Sequence, residues 1–185
     1  MVEDYLVSYA APALAGIKTG NIFSVAYTAE TLLPYLREVA DLDRRLRSKG
    51  LHLLTLRITG KTLLLYLYRS SRLRRDLADA DAARLLKEAG YESEGELPYL
   101  CELIRRLNRA EEFPHEIGLF LSYPPEDVRG FICNKGQNCK CIGCWKVYGD
   151  LEASQETFRR YKECTRIYCR RRACGTPLED LAIAG

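Results

Sequence analysis

The chain has 185 residues, 47% hydrophobic and 29% charged, the composition of a globular protein with a proper core and not of a disordered or fibrous chain. Its formal net charge of +3 is unevenly spread: from Arg129 to Cys174 eleven Lys/Arg face four Asp/Glu, a local +7, and the remainder sums to −4. The acidic start, Met1 to Asp4, lacks the basic residues of a signal peptide, and the most apolar stretch, residues 51–68, is broken by Arg57, Gly60 and Lys61; no membrane partner is expected and the expected address is cytoplasmic.

Residues 2–15 read as a short helix with Tyr5, Leu6, Tyr9 and Leu14 as its apolar members and Gly16 near its end. The chain then turns and enters a strand that reaches Val25. Thr28 is a good N-cap for the next helix, in which Leu32, Leu33, Leu36, Val39 and Leu42 recur at helical spacing and which Gly50 stops. Residues 51–58 and 62–68, rich in Leu, Ile, Thr and Tyr, form a β-hairpin turned by Thr59-Gly60-Lys61.

Residues 70–77 lead into a helix over residues 80–89. Ser93 with Glu96 resembles a capping box, and Pro98 moves the start of that helix towards residue 97; Leu100, Leu103, Ile104 and Leu107 face inward, with Cys101 expected in the core beside them. Residues 116–123 read as a third strand. Pro124, Pro125, Glu126 and Asp127 open a helix that Gly136 ends, residues 144–148 read as a short strand, and Asp150 caps a last long helix to about residue 172. With no internal repeat, low-complexity segment or long linker, the expectation is a single α+β domain over residues 1–185, built on a mixed sheet of four or five strands with helices packed on it. Residues 129–174 form its basic, cysteine-rich portion.

Four of the eight cysteines fall between Cys133 and Cys144, immediately before the only tryptophan, Trp145. Cys139, Cys141 and Cys144 place three thiols on a glycine-containing loop, and Cys133, Cys164 or Cys169 offers a fourth. Thiolate sites suit zinc or an iron–sulfur cluster, because soft sulfur matches both. The spacing matches neither a zinc ribbon nor the ferredoxin patterns, and a competing reading makes these reduced structural cysteines with no cofactor. Phe158, Tyr161, Cys164 and Tyr168 share an apolar helix face, so Cys164 also reads as core. Cys164 and Cys169 lie about 140° apart round a helix and do not both point at one ion.

Other candidates are weaker. His115-Glu116 is no His-Glu-x-x-His zinc motif, since Gly118 and Leu119 follow, and adjacent strand residues point to opposite faces, which argues against an acid/base pair. Lys18 and Thr19 precede Gly20 as a loop able to meet an anion, without the rest of a phosphate-binding loop. Arg69 and Arg72, with Arg74 and Arg75, follow the hairpin as an anion-facing edge or a solvated turn. Arg159, Arg160, Lys162, Arg166 and Arg170 to Arg172 make a basic helical surface that suits a phosphate backbone or complements the helix dipole.

The segments APALAGIKTGNIFS, KGLHLLTLRI, LLLYLYRSSRLRRDL, FPHEIGLFLSYPPEDVRGFI and CWKVYGD…YKECTRIYC together resemble a bacterial family known as domain of unknown function 3793, over residues 5–183. The resemblance implies a source among anaerobic gut bacteria, where thiol or iron–sulfur chemistry is favoured over a disulfide scaffold. It also implies that Gly143, Trp145, Lys146, Val147 and Tyr148 belong to the family frame more dependably than the cysteines do. It carries no reaction and no catalytic residue.

Three functional expectations follow. The first is a metal- or redox-linked accessory protein of anaerobic metabolism that holds iron–sulfur or zinc on Cys139, Cys141 and Cys144 with Cys133 or Cys164, its partner a redox protein. The second is a binding module for an anionic ligand, or less readily for nucleic acid, through the basic C-terminal helix. The third is an enzyme with a cysteine nucleophile near His115 or Lys18.

Overall fold

Leucines at every second position bury one face of a strand pair, and in the computed structural model, which describes residues 1–109 and 113–185, they do so. The elements run α1 (Val2–Leu14), β1 (Gly20–Ala26), α2 (Ala29–Leu46), a 3-10 turn (Arg47–Lys49), β2 (Leu51–Ile58), β3 (Thr62–Arg69), α3 (Ser70–Leu77), α4 (Ala80–Glu88), α5 (Glu96–Arg109), α6 (Ile117–Phe120), α7 (Pro125–Cys133), β4 (Cys141–Ile142), β5 (Lys146–Val147), α8 (Leu151–Ala173) and α9 (Leu178–Leu181). They divide into two units, residues 1–72 with 163–185, and residues 73–162.

In the first unit β3 lies between β1 and β2, antiparallel to both. Leu63, Leu65 and Leu67 of β3 are wholly buried, and α1 and α2 bring Leu6, Leu14, Leu42 and Leu46 onto the same core. Each such side chain contributes about 1.5–3 kcal/mol on burial. Thr28 and Thr31 form a reciprocal cap at the start of α2, with the Thr28 N–H donating to Thr31 Oγ1 at 2.8 Å. Cys164, Tyr168, Leu178 and Leu181 complete this core.

Arg69 closes the unit. It is 1% exposed and donates Nε to the Ala13 carbonyl (2.8 Å), Nη2 to those of Leu14 (2.7 Å) and Ile183 (2.5 Å), and Nη1 to that of Lys49 (3.2 Å). The guanidinium thus adds a further hydrogen bond to the Ala13 and Leu14 carbonyls at the end of α1, which also accept the Gly16 N–H at 3.1 Å and the Ile183 N–H at 3.0 Å. Burial, followed by the charge of Arg72, lowers its pKa. The anion-facing edge expected at Arg69 is therefore an internal brace.

The second unit is mainly helical. Asp79 caps α4, accepting from the Asp81 and Ala82 N–H groups at 3.0 and 3.1 Å. The buried Glu116 carboxylate accepts from Tyr91 Oη at 3.2 Å and from Arg106 Nη1 at 3.4 Å, and Arg106 also donates to Glu102 at 2.6 Å. The side-chain hydrogen bond from Arg105, with a further one from Arg106, lowers the pKa of Glu102 to about 2.

Several expectations are corrected. The mixed sheet of four or five strands is instead one antiparallel sheet of three strands and a separate pair, β4 with β5. Residues 116–123 are no strand. Ile117 to Phe120 form α6, and the N–H groups of Leu121 and Tyr123 fold back onto the Gly118 carbonyl at 3.0 and 2.9 Å. Ile117, Leu119, Phe120 and Leu121 are all buried, so the run had no exposed side to betray its period. Residues 70–77 form a helix of their own. Ser93 does not cap α5, whose first main-chain bond runs from the Tyr99 N–H to the Gly95 carbonyl at 3.0 Å. Cys101 is exposed, because Leu100, Leu103 and Leu107 take the buried face and Cys101 faces away from it.

Candidate ligand pocket

The motif Trp145-Lys146-Val147-Tyr148-Gly149-Asp150 is tied to the first turn of α7 by one carboxylate. Asp127 is 2% exposed, and its Oδ2 accepts the Trp145 Nε1–H at 2.7 Å while Oδ1 accepts the Tyr148 and Gly149 N–H groups, each at 2.7 Å. Three donors on two oxygens make burial of this charge tolerable, and the N-terminal end of α7 adds to it. Asp150 caps α8, accepting the Ala153 N–H at 3.0 Å, and its own N–H donates to Glu126 at 3.2 Å.

Two glycines permit this approach. A Cβ on Gly143 would lie 2.1 Å from the Phe158 ring, and one on Gly130 would lie 2.4 Å from the Tyr148 ring. Only a glycine lets ring and backbone meet at such range. Trp145 is consequently packed between Tyr123, with ring centroids 4.9 Å apart, and Phe158, with centroids 4.5 Å apart and planes at 78°. Tyr123 Oη donates to the Cys144 carbonyl at 3.1 Å, and burial pushes its phenol up to about 12.

In front of the Trp145 wall lies a cavity of about 460 Å³. Phe113, Phe131, Leu121, Val128 and Ile142 give it an apolar lining, and among the described residues His115, Tyr123, Asp127 and Lys146 are its charged or titratable members. The Lys146 Nζ donates to the Gly136 carbonyl at 2.8 Å and stands 5.7 Å from the centroid of the Phe131 ring. The His115 ring meets the same Phe131 edge-on, with centroids 4.9 Å apart. A concave, preformed, mainly apolar site with a few polar groups is what small molecules occupy.

The residues singled out in the sequence are dispersed. None of the eight cysteines is in a disulfide. Cys139 and Cys141 are half-buried at the start of the β4–β5 hairpin, Cys144 is exposed in its loop, and Cys133 is exposed at the last position of α7. Cys164 is in the core of the first unit, where burial raises its thiol to about 11. Among the described residues no three His, Cys, Asp or Glu side chains gather in a group able to hold a metal ion, so the expected thiolate donor set does not fit a metal or cluster in this arrangement. Lys18, Thr19 and Arg69 are buried in the first unit, and Arg72 is half-buried there. His115 and Glu116 go separate ways: the imidazole to the pocket and Phe131, the carboxylate to Tyr91 and Arg106. Trp145 and Lys146 both line the pocket. Asp127, Tyr123 and Phe131 were not anticipated. Asp127 in the first turn of a helix already had a sufficient local explanation in the dipole, which concealed its longer-range bonds.

Fold and site define a helix-rich α+β protein with a preformed apolar pocket in its second unit. The chain belongs to the family described as protein of unknown function DUF3793, whose pattern matches residues 6–182. No curated protein and no solved structure matches it. No helix among the described residues is long and apolar enough to cross a membrane.

Proposed function

We propose that the second unit is a binding module for a small, largely apolar molecule, taken up in the cavity between α7 and the β4–β5 hairpin. One observation carries the reading: about 460 Å³ of preformed space walled by Trp145, Tyr123, Phe131 and Phe113. Its volume falls within the range of roughly 300–1,000 Å³ typical of small-molecule sites. The bonds from Trp145, Tyr148 and Gly149 to Asp127 support it further, since they hold one wall in place before any ligand arrives. Such preorganisation lowers the ordering cost of binding. This reading takes the ligand-binding expectation from the basic helix to the pocket and makes no use of a metal or a thiol.

Because Trp145 is the only tryptophan, its emission reports on the pocket without labelling. Titration with the neutral aromatic alcohol 4-biphenylethanol, excited at the red edge of indole absorption, is expected to change that emission saturably at one equivalent. Ile142 lines the rim and is 70% exposed. Ile142→Glu should weaken binding by about tenfold with an unchanged circular dichroism spectrum, since it places a charge against an apolar ligand without touching the core. An emission that never saturates in the wild-type protein would remove the proposal.

A further inference from the structure

We infer that the ligand of this pocket is an aromatic acid, its ring against Trp145 and Phe131 and its carboxylate against Lys146 and His115; the inference rests on the pocket reading above. The Lys146 ammonium is held at the cavity by the Gly136 carbonyl at 2.8 Å, which takes one of three N–H groups. Among the described residues no carboxylate lies within ion-pair reach of it, although Arg45, Arg84, Arg106, Arg166 and Arg172 each have one. The one carboxylate among the described residues that line the pocket, Asp127, already accepts three N–H groups. A half-buried cation in an apolar wall gains most from an anion brought in from outside.

His115 brings a second nitrogen group to the same cavity, and its ring and the Lys146 ammonium both border Phe131. The imidazole is exposed on its turn, and a ring N–H can donate to an oxyanion. Around these two groups the lining is aromatic and aliphatic, which suits a flat hydrocarbon body and excludes a polyphosphate or a sugar. The acid head and the aromatic body are thus two demands of one cavity.

Three probes of matched shape test this on the full-length chain, read by Trp145 emission and by calorimetry: 4-biphenylacetate, 4-biphenylethanol and 4-biphenylmethylamine. The acid should bind at least about tenfold more tightly than the alcohol, the size expected of one charge-assisted hydrogen bond. Within the Lys146→Gln protein the acid and the alcohol should bind with the same affinity, and His115→Ala, a substitution on an exposed turn, should narrow the gap by about threefold. Equal binding of acid and alcohol by the wild-type protein, or tighter binding of the amine, would overturn the acid assignment and leave the pocket standing. Failure of all three probes to bind would overturn the pocket reading, and this inference with it.

Discussion

The indole N–H of Trp145 donates to the carboxylate of Asp127 at 2.7 Å, so the only tryptophan of the chain is anchored to the first turn of α7. The second oxygen of Asp127 holds the Tyr148 and Gly149 N–H groups, which makes this residue the common point of the hairpin, its following turn and the helix. Asp127→Asn keeps the shape but offers one acceptor oxygen in place of two, and its amide turns a donor towards a donor. The expected loss is about 1–3 kcal/mol, the cost of leaving a buried polar group unmatched. Urea unfolding measures it, and the Trp145 emission should move to the red. An unchanged midpoint would show that the anchor contributes nothing to folding.

Gly143 and Phe158 form the second contact on which the pocket wall depends. All three atoms nearest to a Cβ on Gly143 belong to the Phe158 ring, at 2.1, 2.3 and 2.8 Å. Gly143→Ala therefore forces either the ring or the hairpin to move, at a cost of about 1–3 kcal/mol. Phe158→Leu removes the obstructing ring. In the double variant the two losses should be clearly non-additive, with a coupling of about 1 kcal/mol or more in a double-mutant cycle. Simple additivity would show that the ring adapts freely.

The first unit was largely legible in the sequence, because each of its signals is local. Thr28 caps α2, Gly50 ends the turn after it at φ 71°, and the alternating leucines of residues 51–68 pair in the register of a hairpin. The second unit was less so. Residues 116–123 carry an apolar run buried all round, and periodicity cannot separate strand from helix there. Arg69 follows a strand in a basic run, and nothing local distinguishes it from Arg74 or Arg75, which are exposed; its carbonyl partners come from residues 13, 14, 49 and 183. The pocket was invisible for the same reason. Its lining is drawn from turns, a short helix, α7 and the hairpin, so no spacing rule reveals it, although Trp145 and Lys146 were marked.

Arg69 gives the sharpest test of stability in the first unit. Arg69→Met fills a similar volume but removes the four guanidinium bonds to the Ala13, Leu14, Lys49 and Ile183 carbonyls. Loss of several buried bonds together is expected to cost more than about 3 kcal/mol. Arg69→Lys retains the charge without the planar fork, so it should fall between the two. Denaturant midpoints for the three proteins give the order Arg, Lys, Met. A methionine variant as stable as the parent would mean that the buried guanidinium only offsets its own desolvation.

Cys164 and Cys144 should differ in chemistry as they differ in place. Burial raises the Cys164 thiol from 9.0 to about 11, whereas Cys144 is exposed in the hairpin loop. Since the thiolate is the nucleophile, iodoacetamide at pH 8 should label Cys144 readily and leave Cys164 untouched until the chain is unfolded. Peptide mass spectrometry reads the two sites separately. The same shift has a stability consequence. The unfolded thiol ionises at the lower pKa, so the contribution of Cys164 is complete below pH 9 and is lost as pH rises through 11. Cys164→Ala leaves a small cavity and lowers stability at neutral pH, but it should flatten the decline between pH 9 and 11. A parallel decline in both proteins, or early labelling of Cys164 in the folded chain, would contradict its place in the core.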